Sequence, residues 1–162
     1  MKVVERAGMN VKRQLQKSYP FEKKKCGDKC FVCISEGKGN CKRSNVSYEI
    51  VCTREGCESV YIGETCRNGY CRGREHLRGL EKGDEESVLV EHIRDQHQND
   101  MSRPPCHQFK MNITECHNTA LDRQVTEAVK IDMSTKPTLN RKHGFRANSV
   151  LKLSSTLSRN TH

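Results

Sequence analysis

The sequence predicts an α+β fold, on three observations. Two short β-prone runs, Ser47 to Cys52 (SYEIVC) and Ser59 to Gly63 (SVYIG), flank a small turn containing Gly56 and read as an antiparallel hairpin. A third run, Phe109 to Thr114, alternates large apolar with polar residues, the pattern of a half-buried strand. Three longer segments, Asn68 to Leu80, Ser87 to Gln96 and Ala120 to Met133, read as helices.

Taken in chain order, residues 1–25 form a basic stretch with a short helix, Met9 to Lys17, stopped at Tyr19-Pro20 because the residue before proline is pushed out of helical geometry. This stretch also suits a linker from something larger. Residues 26–45 are Gly, Lys and Cys with few apolar side chains, so they cannot pack alone and need a cross-link or a metal. In Asn68 to Leu80 the charged residues are punctuated by apolar ones, and Gly69 and Gly73 weaken the helix. Ser87 is the expected cap of the next helix, whose Val88, Leu89, His92 and Ile93 line one face. Leu121, Val125, Ala128, Val129 and Asp132 fall at helical spacing and give the last helix one apolar stripe. After Pro137 the periodicity fades, and 146–162, rich in Ser, Asn and Arg, reads as disordered. The expected organisation is a basic helix or linker (1–25), a Cys-rich zinc-binding appendage (26–45), a folded domain (46–143) and a basic tail (144–162).

A chain of 162 residues has room for one compact domain and a short appendage, which excludes two full-size enzyme domains. Only 33% of it is apolar and 5% aromatic, with no Trp and a mean hydropathy of −0.85, so the core must be lean. No window approaches the roughly 18 apolar residues of a membrane span, and no apolar signal core follows the N-terminal charges. The expected setting is intracellular, away from membranes. The net charge of +9 is uneven: residues 1–44 carry +8, 45–131 carry −4 and 132–162 carry +5. Basic flanks around an acidic centre suit a polyanion such as DNA or RNA, or are simply solvated tails.

Ten cysteines would be a disulfide framework in a secreted chain, whereas in a reducing compartment clustered Cys and His are first of all zinc ligands. Cys26-x3-Cys30-x2-Cys33-x7-Cys41 places four thiols within sixteen residues, a structural zinc site or a set of free thiols. Cys52 and Cys57 bracket the hairpin turn, while His92 and His97 lie about one helical turn apart at the end of the second helix. Together they could complete a second tetrahedral shell, although spacing alone leaves His92 an ordinary surface residue as the alternative. Cys66, Cys71, Cys106 and Cys116 have no evident partners and read as small apolar or idle thiols.

One series of residues carries a resemblance: Tyr48-Glu49-Ile50, then Tyr61-Ile62-Gly63-Glu64-Thr65, Arg72-x3-His76, Glu127 within RQVTEAVKI and Asn140 within TLN. This series resembles the GIY-YIG nuclease domain, and over about residues 26 to 143 the chain is similar to the endonuclease module at the C-terminus of Penelope-like retroelements. The resemblance implies a central three-stranded antiparallel sheet flanked by helices. It also implies an embedded zinc element at Cys52, Cys57, His92 and His97, and likens the Cys26, Cys30, Cys33 run to the cluster found just ahead of the module. Two structural Zn²⁺ ions are thus expected. Three departures stand out: Val46-Ser47 precede Tyr48 where most families have Gly-Ile, Arg72 follows Gly63 by nine residues with Cys66 where a Gly is common, and no reverse transcriptase motif is present. The chain then reads as an excised module, a decayed copy, or a host protein descended from one.

The activity so implied is Mg²⁺-dependent nicking of DNA in retroelement insertion, with DNA, element RNA and a reverse transcriptase domain of a longer parent chain as expected partners, in the nucleus. By the same analogy Glu127 holds the Mg²⁺, and Tyr48 and Tyr61 present phenols to the nucleophilic water, one as general base. Arg72 clamps the phosphate, His76 relays a proton or binds phosphate, and Asn140 orients the glutamate or the backbone near it. Glu64 and Arg67 flank the motif and either contact DNA or pair with each other. A zinc-stabilised nucleic-acid-binding relic without turnover is the competing function, and a disulfide-bonded secreted domain is a third.

Overall fold

The computed structural model describes residues 26–98, 104 and 107–141. Its elements are one helical turn α1 (Phe31–Ile34), β1 (Val46–Cys52), β2 (Val60–Thr65), α2 (Gly69–Lys82), α3 (Val88–Gln96), β3 (Phe109–Cys116) and α4 (Ala120–Asp132). The strands form one antiparallel sheet in the order β2-β1-β3, flanked by helices, so the α+β class expected from the sequence holds. The predicted helix Met9 to Lys17, Cys106 and the 144–162 tail lie outside the described residues.

The period-2 pattern of β1 sends Val46, Tyr48, Ile50 and Cys52 to one face, where all four are buried. On β3, Phe109, Met111 and Ile113 join them, and Leu77, Leu80, Leu89 and Ile93 from α2 and α3 close the core. Register puts Tyr48 opposite Gly63 and Ile50 opposite Tyr61. Against β3 the pairing slips between Ser47 and Tyr48, leaving Thr114 as the extra residue of a bulge, with its hydroxyl donating to the Ser47 carbonyl at 3.1 Å.

The glycines expected to weaken α2 have a packing role. A Cβ at Gly69 would stand 2.6 Å from Ile113 Cδ1, and one at Gly73 would stand 3.1 Å from Met111 Sδ and 3.2 Å from Phe31 Cβ. They sit one turn apart and let the helix close onto the β3 side of the core. Asn68 starts α2 by accepting a hydrogen bond from the Cys71 amide. Ser87 does occupy the cap position of α3, but its side chain makes no capping bond.

Two expectations need correction. The 26–45 segment is no appendage: Cys30, Phe31, Val32 and Cys41 are buried in the same core as the sheet. It also covers the outer edge of β3, where Lys38 O accepts from the Ile113 amide at 2.8 Å, Asn112 Oδ1 from the Lys38 amide at 2.9 Å, and Ser35 Oγ from the Met111 amide at 3.1 Å. The stripe of α4 faces solvent: Leu121 is 64% exposed and Val129 45%. The opposite, polar face is turned to the sheet, because buried Arg123 ion-pairs with Glu64 of β2. Beyond α4 the chain returns along β2, with Val60 donating to Pro137 O at 2.9 Å and accepting from the Leu139 amide at 2.8 Å.

Gly63 is the position at which this packing is tightest around Tyr48. A Cβ there would lie 2.5 Å from Tyr48 Cζ and Oη, so Gly63→Ala is expected to overpack the site and cost about 1–3 kcal/mol, read from urea unfolding. An unchanged unfolding midpoint would show that the ring can move aside freely.

Candidate functional site

The fold gathers both expected donor sets, the four cysteines read from spacing and the Cys2His2 set implied by the resemblance. In Cys26, Cys30, Cys33 and Cys41, and again in Cys52, Cys57, His92 and His97, the donor atoms lie within 4.8 Å of one another. Cys26 Sγ is 3.3 Å from Cys41 Sγ, and Cys33 Sγ is 3.9 Å from it. In the second set Cys52 Sγ lies 3.4 Å from His97 Nε2, Cys57 Sγ 3.5 Å from His92 Nε2, and the two Nε2 atoms stand 3.1 Å apart. His92 is buried beside Phe109, so it is not a surface histidine. Burial pushes the thiols of Cys30 and Cys52 up to about 11 and that of Cys41 higher still. Against the effect of burial, hydrogen bonds from their neighbours lower those of Cys33 and Cys57 instead. Each set could hold a metal ion.

A second cluster forms around Tyr48. Its hydroxyl is buried, accepts from Arg72 Nε at 2.9 Å and lies 2.9 Å from His76 Nε2. Since a guanidinium can only donate, Tyr48 Oη is the acceptor toward Arg72, which leaves its own proton for a neighbour such as His76 Nε2. Tyr61, half-buried, packs with ring centroids 5.4 Å from His76 and 6.2 Å from Tyr48. Burial and then the Arg72 cation depress the His76 pKa to about 3, against the pull of Glu75, so the ring is neutral at physiological pH. Burial, helped by neighbouring Tyr61, drives the Tyr48 phenol well above its ordinary range despite Arg72. Of the two tyrosines, Tyr61 is the one that reaches solvent.

Arg72 also donates to Glu75 at 2.8 Å, and Glu75 takes the fork of Arg67 as well. Glu64 pairs instead with Arg123, which further donates to Asn45 Oδ1 at 3.1 Å. Glu64 and Arg67 therefore do not pair with each other. Glu127, half-buried on α4, sits beside Glu64: burial and that carboxylate push its pKa up, while the Glu64 amide, Arg72 and Arg123 oppose the shift. Asn140 grips β2 with both ends of its amide, accepting from Ile62 N at 3.0 Å and donating to Ile62 O at 2.6 Å, so it orients backbone rather than the glutamate.

No protein-family model, curated protein or solved structure matches this chain. Among the described residues no helix is long and apolar enough to cross a membrane. Sequence reasoning passed over two members of the cluster, Glu75 and Arg123. The signal for Glu75 is its i,i+3 spacing from Arg72, and that for Arg123 its place one turn before Glu127.

A histidine whose folded pKa lies below its unfolded value contributes stability that is complete above about 6.5 and is lost as pH falls toward 3. Between wild type and His76→Gln, which keeps an acceptor for Tyr48, the stability difference should shift against wild type by on the order of 3 kcal/mol from pH 7 to pH 4. Parallel pH profiles of the two proteins in denaturant unfolding would contradict the neutral buried imidazole.

Proposed function

We propose that this chain is a zinc-stabilised, Mg²⁺-dependent phosphodiester hydrolase of the GIY-YIG type that nicks DNA. The observation that carries the reading is the hydrogen-bonded set Arg72–Tyr48–His76 with Tyr61 packed edge-on beside it. Its members are drawn from two strands and a helix and stand at the positions the resemblance singles out.

Zinc is the ion that the two sulfur-containing sets suit. A tetrahedral site with Zn–S of about 2.3 Å and Zn–N of about 2.0 Å has S···N edges of about 3.5 Å, an N···N edge of about 3.3 Å and S···S edges of about 3.8 Å. The separations of 3.4, 3.5 and 3.1 Å in the mixed set lie close to these, and 3.3 and 3.9 Å bracket the sulfur edge in the other. Glu127 offers hard oxygen of the kind Mg²⁺ prefers, and one protein carboxylate suffices for an ion that keeps most of its waters. When bound there, Mg²⁺ would supply Lewis-acid charge to the scissile phosphate and the leaving oxygen.

The chain's own residues divide the remaining work. Arg72, anchored through Nε on Tyr48, turns its outer nitrogens to the phosphate and stabilises the charge of the pentacoordinate state. Tyr61 orients the attacking water. Neutral His76 holds the Tyr48 hydroxyl from behind and, through it, positions the Arg72 guanidinium, while the proton of the attacking water leaves to bulk solvent on the exposed side of Tyr61. Asn140 holds the Ile62 peptide, and with it the strand segment carrying Tyr61 and Gly63. The net charge of +9 favours a polyanionic substrate. The complete burial of Tyr48, which keeps its phenol from water, favours a second reading in which the module binds nucleic acid without turnover.

Metal analysis of protein purified without chelators should find about two zinc ions per chain. A value near zero would remove both sites. Cys57→Ser should lower the melting temperature of the whole domain, because its set ties the hairpin turn to α3, and an unchanged melting curve would show that the set carries no structural ion. Glu127→Gln keeps the size of the side chain but loses its charge, so nicking of supercoiled plasmid in Mg²⁺ should fall about a hundredfold or more while folding and DNA binding survive. Equal nicking by wild type and variant would refute the role of Glu127. Binding by wild type with no nicking in either Mg²⁺ or Mn²⁺ would support the binding module instead.

A further inference from the structure

The Tyr48 cluster ends, on its solvent side, in two arginines that share one carboxylate. Arg72 Nη1 donates to Glu75 Oε2 at 2.8 Å, Arg67 Nη2 donates to the same oxygen at 2.8 Å, and Arg67 Nη1 takes Oε1. Each arginine also has an anchor other than Glu75. Arg72 is fixed by its Nε on Tyr48, and the Arg67 backbone is fixed by its amide on Thr65 Oγ1 at 3.1 Å. The geometry of Arg72 is therefore set by the fold, while the Arg67 guanidinium reaches Glu75 from an anchored backbone.

Two guanidiniums that meet on one carboxylate can meet on one phosphate, because both anions present paired oxygens to the same planar fork. The side chains of Arg67, Arg72 and Glu75 are 54%, 31% and 38% exposed, so a polymer can reach them. Ion pairs this exposed are weak and exchange readily. We propose that Arg67 and Arg72 form a two-arginine phosphate clamp, occupied in the free protein by Glu75 as an internal stand-in, and that nucleic acid binds by displacing that carboxylate with a backbone phosphate. The proposal deepens the phosphodiester reading above and rests on it. Glu75 thereby acts as a selectivity filter, because a lone anion must compete with a tethered one for the clamp, whereas a polyanion gains further contacts elsewhere and wins. The clamp also places the captured phosphate beside Tyr61, since Arg72 is the member common to the clamp and the Tyr48 cluster.

The test measures affinity for a short DNA duplex with no divalent ion added, and for inorganic phosphate by NMR titration, in the full zinc-loaded chain. Glu75→Gln should bind both ligands about fivefold tighter than wild type. Glu81→Gln, which removes the same charge from an exposed position further along α2, should gain clearly less. Arg67→Ala should weaken wild type and cancel the gain when combined with Glu75→Gln. The clamp is overturned if Glu75→Gln gains no more than Glu81→Gln, if it binds more weakly than wild type, or if its gain survives Arg67→Ala. Because binding is read without Mg²⁺, a chain that binds as expected but never nicks keeps the clamp and loses the hydrolase. A chain that nicks while Glu75→Gln and Glu81→Gln behave alike loses only the clamp.

Discussion

A phenol hydroxyl buried at the centre of the sheet must be hydrogen-bonded, since an unpaired one costs on the order of 1–3 kcal/mol. That requirement at Tyr48 organises much of the molecule. Arg72 and His76 of α2 lie one turn apart and arrive at the hydroxyl together. The helix can approach closely enough only because Gly69 and Gly73 face the core, and the ring fits only because its cross-strand neighbour is Gly63. Arg72, brought into a partly buried position, needs a counter-charge, which Glu75 supplies one turn away. One buried oxygen thus accounts for three glycines, a cation, a neutral histidine and a carboxylate.

The apolar core alone is small for the number of ordered residues. Cys30, Cys41, Cys52 and His92 are buried within it, in places where a richer sequence would set aliphatic side chains. Sulfur and imidazole fill that volume, and on the proposed reading they also cross-link it, which is how lean domains ordinarily make up a shortfall in hydrophobic burial. The two sets lie in different parts of the fold. An ion in one would close the 26–45 segment, which covers the edge of β3, on itself, and an ion in the other would join the hairpin turn to α3. Removal of either ion would open a different side of the same core.

What the sequence made legible was local. The hairpin, the alternation of β3 and the Cys26, Cys30, Cys33 and Cys41 set follow from spacings of a few residues, whereas the union of Cys52 and Cys57 with His92 and His97 came from the resemblance; the structure brings each of them together. The failures were long-range. The stripe Leu121, Val125 and Val129 identifies which face of α4 is apolar but not what lies opposite, and the ion pair of Arg123 with Glu64, separated by 59 residues, turned the other face inward. The strap at 137–140 has no periodicity, because its register is set by backbone bonds to Val60 and by Asn140 on Ile62. Gly69 and Gly73 were read as helix weakness because the intrinsic propensity is visible in the sequence, whereas the neighbouring surface that needs a missing Cβ is not.

The inward turn of α4 also decides the electrostatics of the candidate site. Glu64, Glu127 and Glu75 contribute three carboxylates, and Arg123, Arg72 and Arg67 three guanidiniums, interleaved so that each carboxylate lies within reach of a cation. With His76 neutral, the set sums to no net charge. A balanced site of this kind has little long-range attraction for a polyanion, and residues 45–131 as a whole, at −4, would repel one. Attraction must then come from the +8 of residues 1–44 and the +5 of residues 132–162. On the proposed function the labour divides accordingly: the flanks supply affinity that falls steeply with salt, while the neutral centre supplies geometry and exchanges an internal carboxylate for a phosphate only after the polymer is already held.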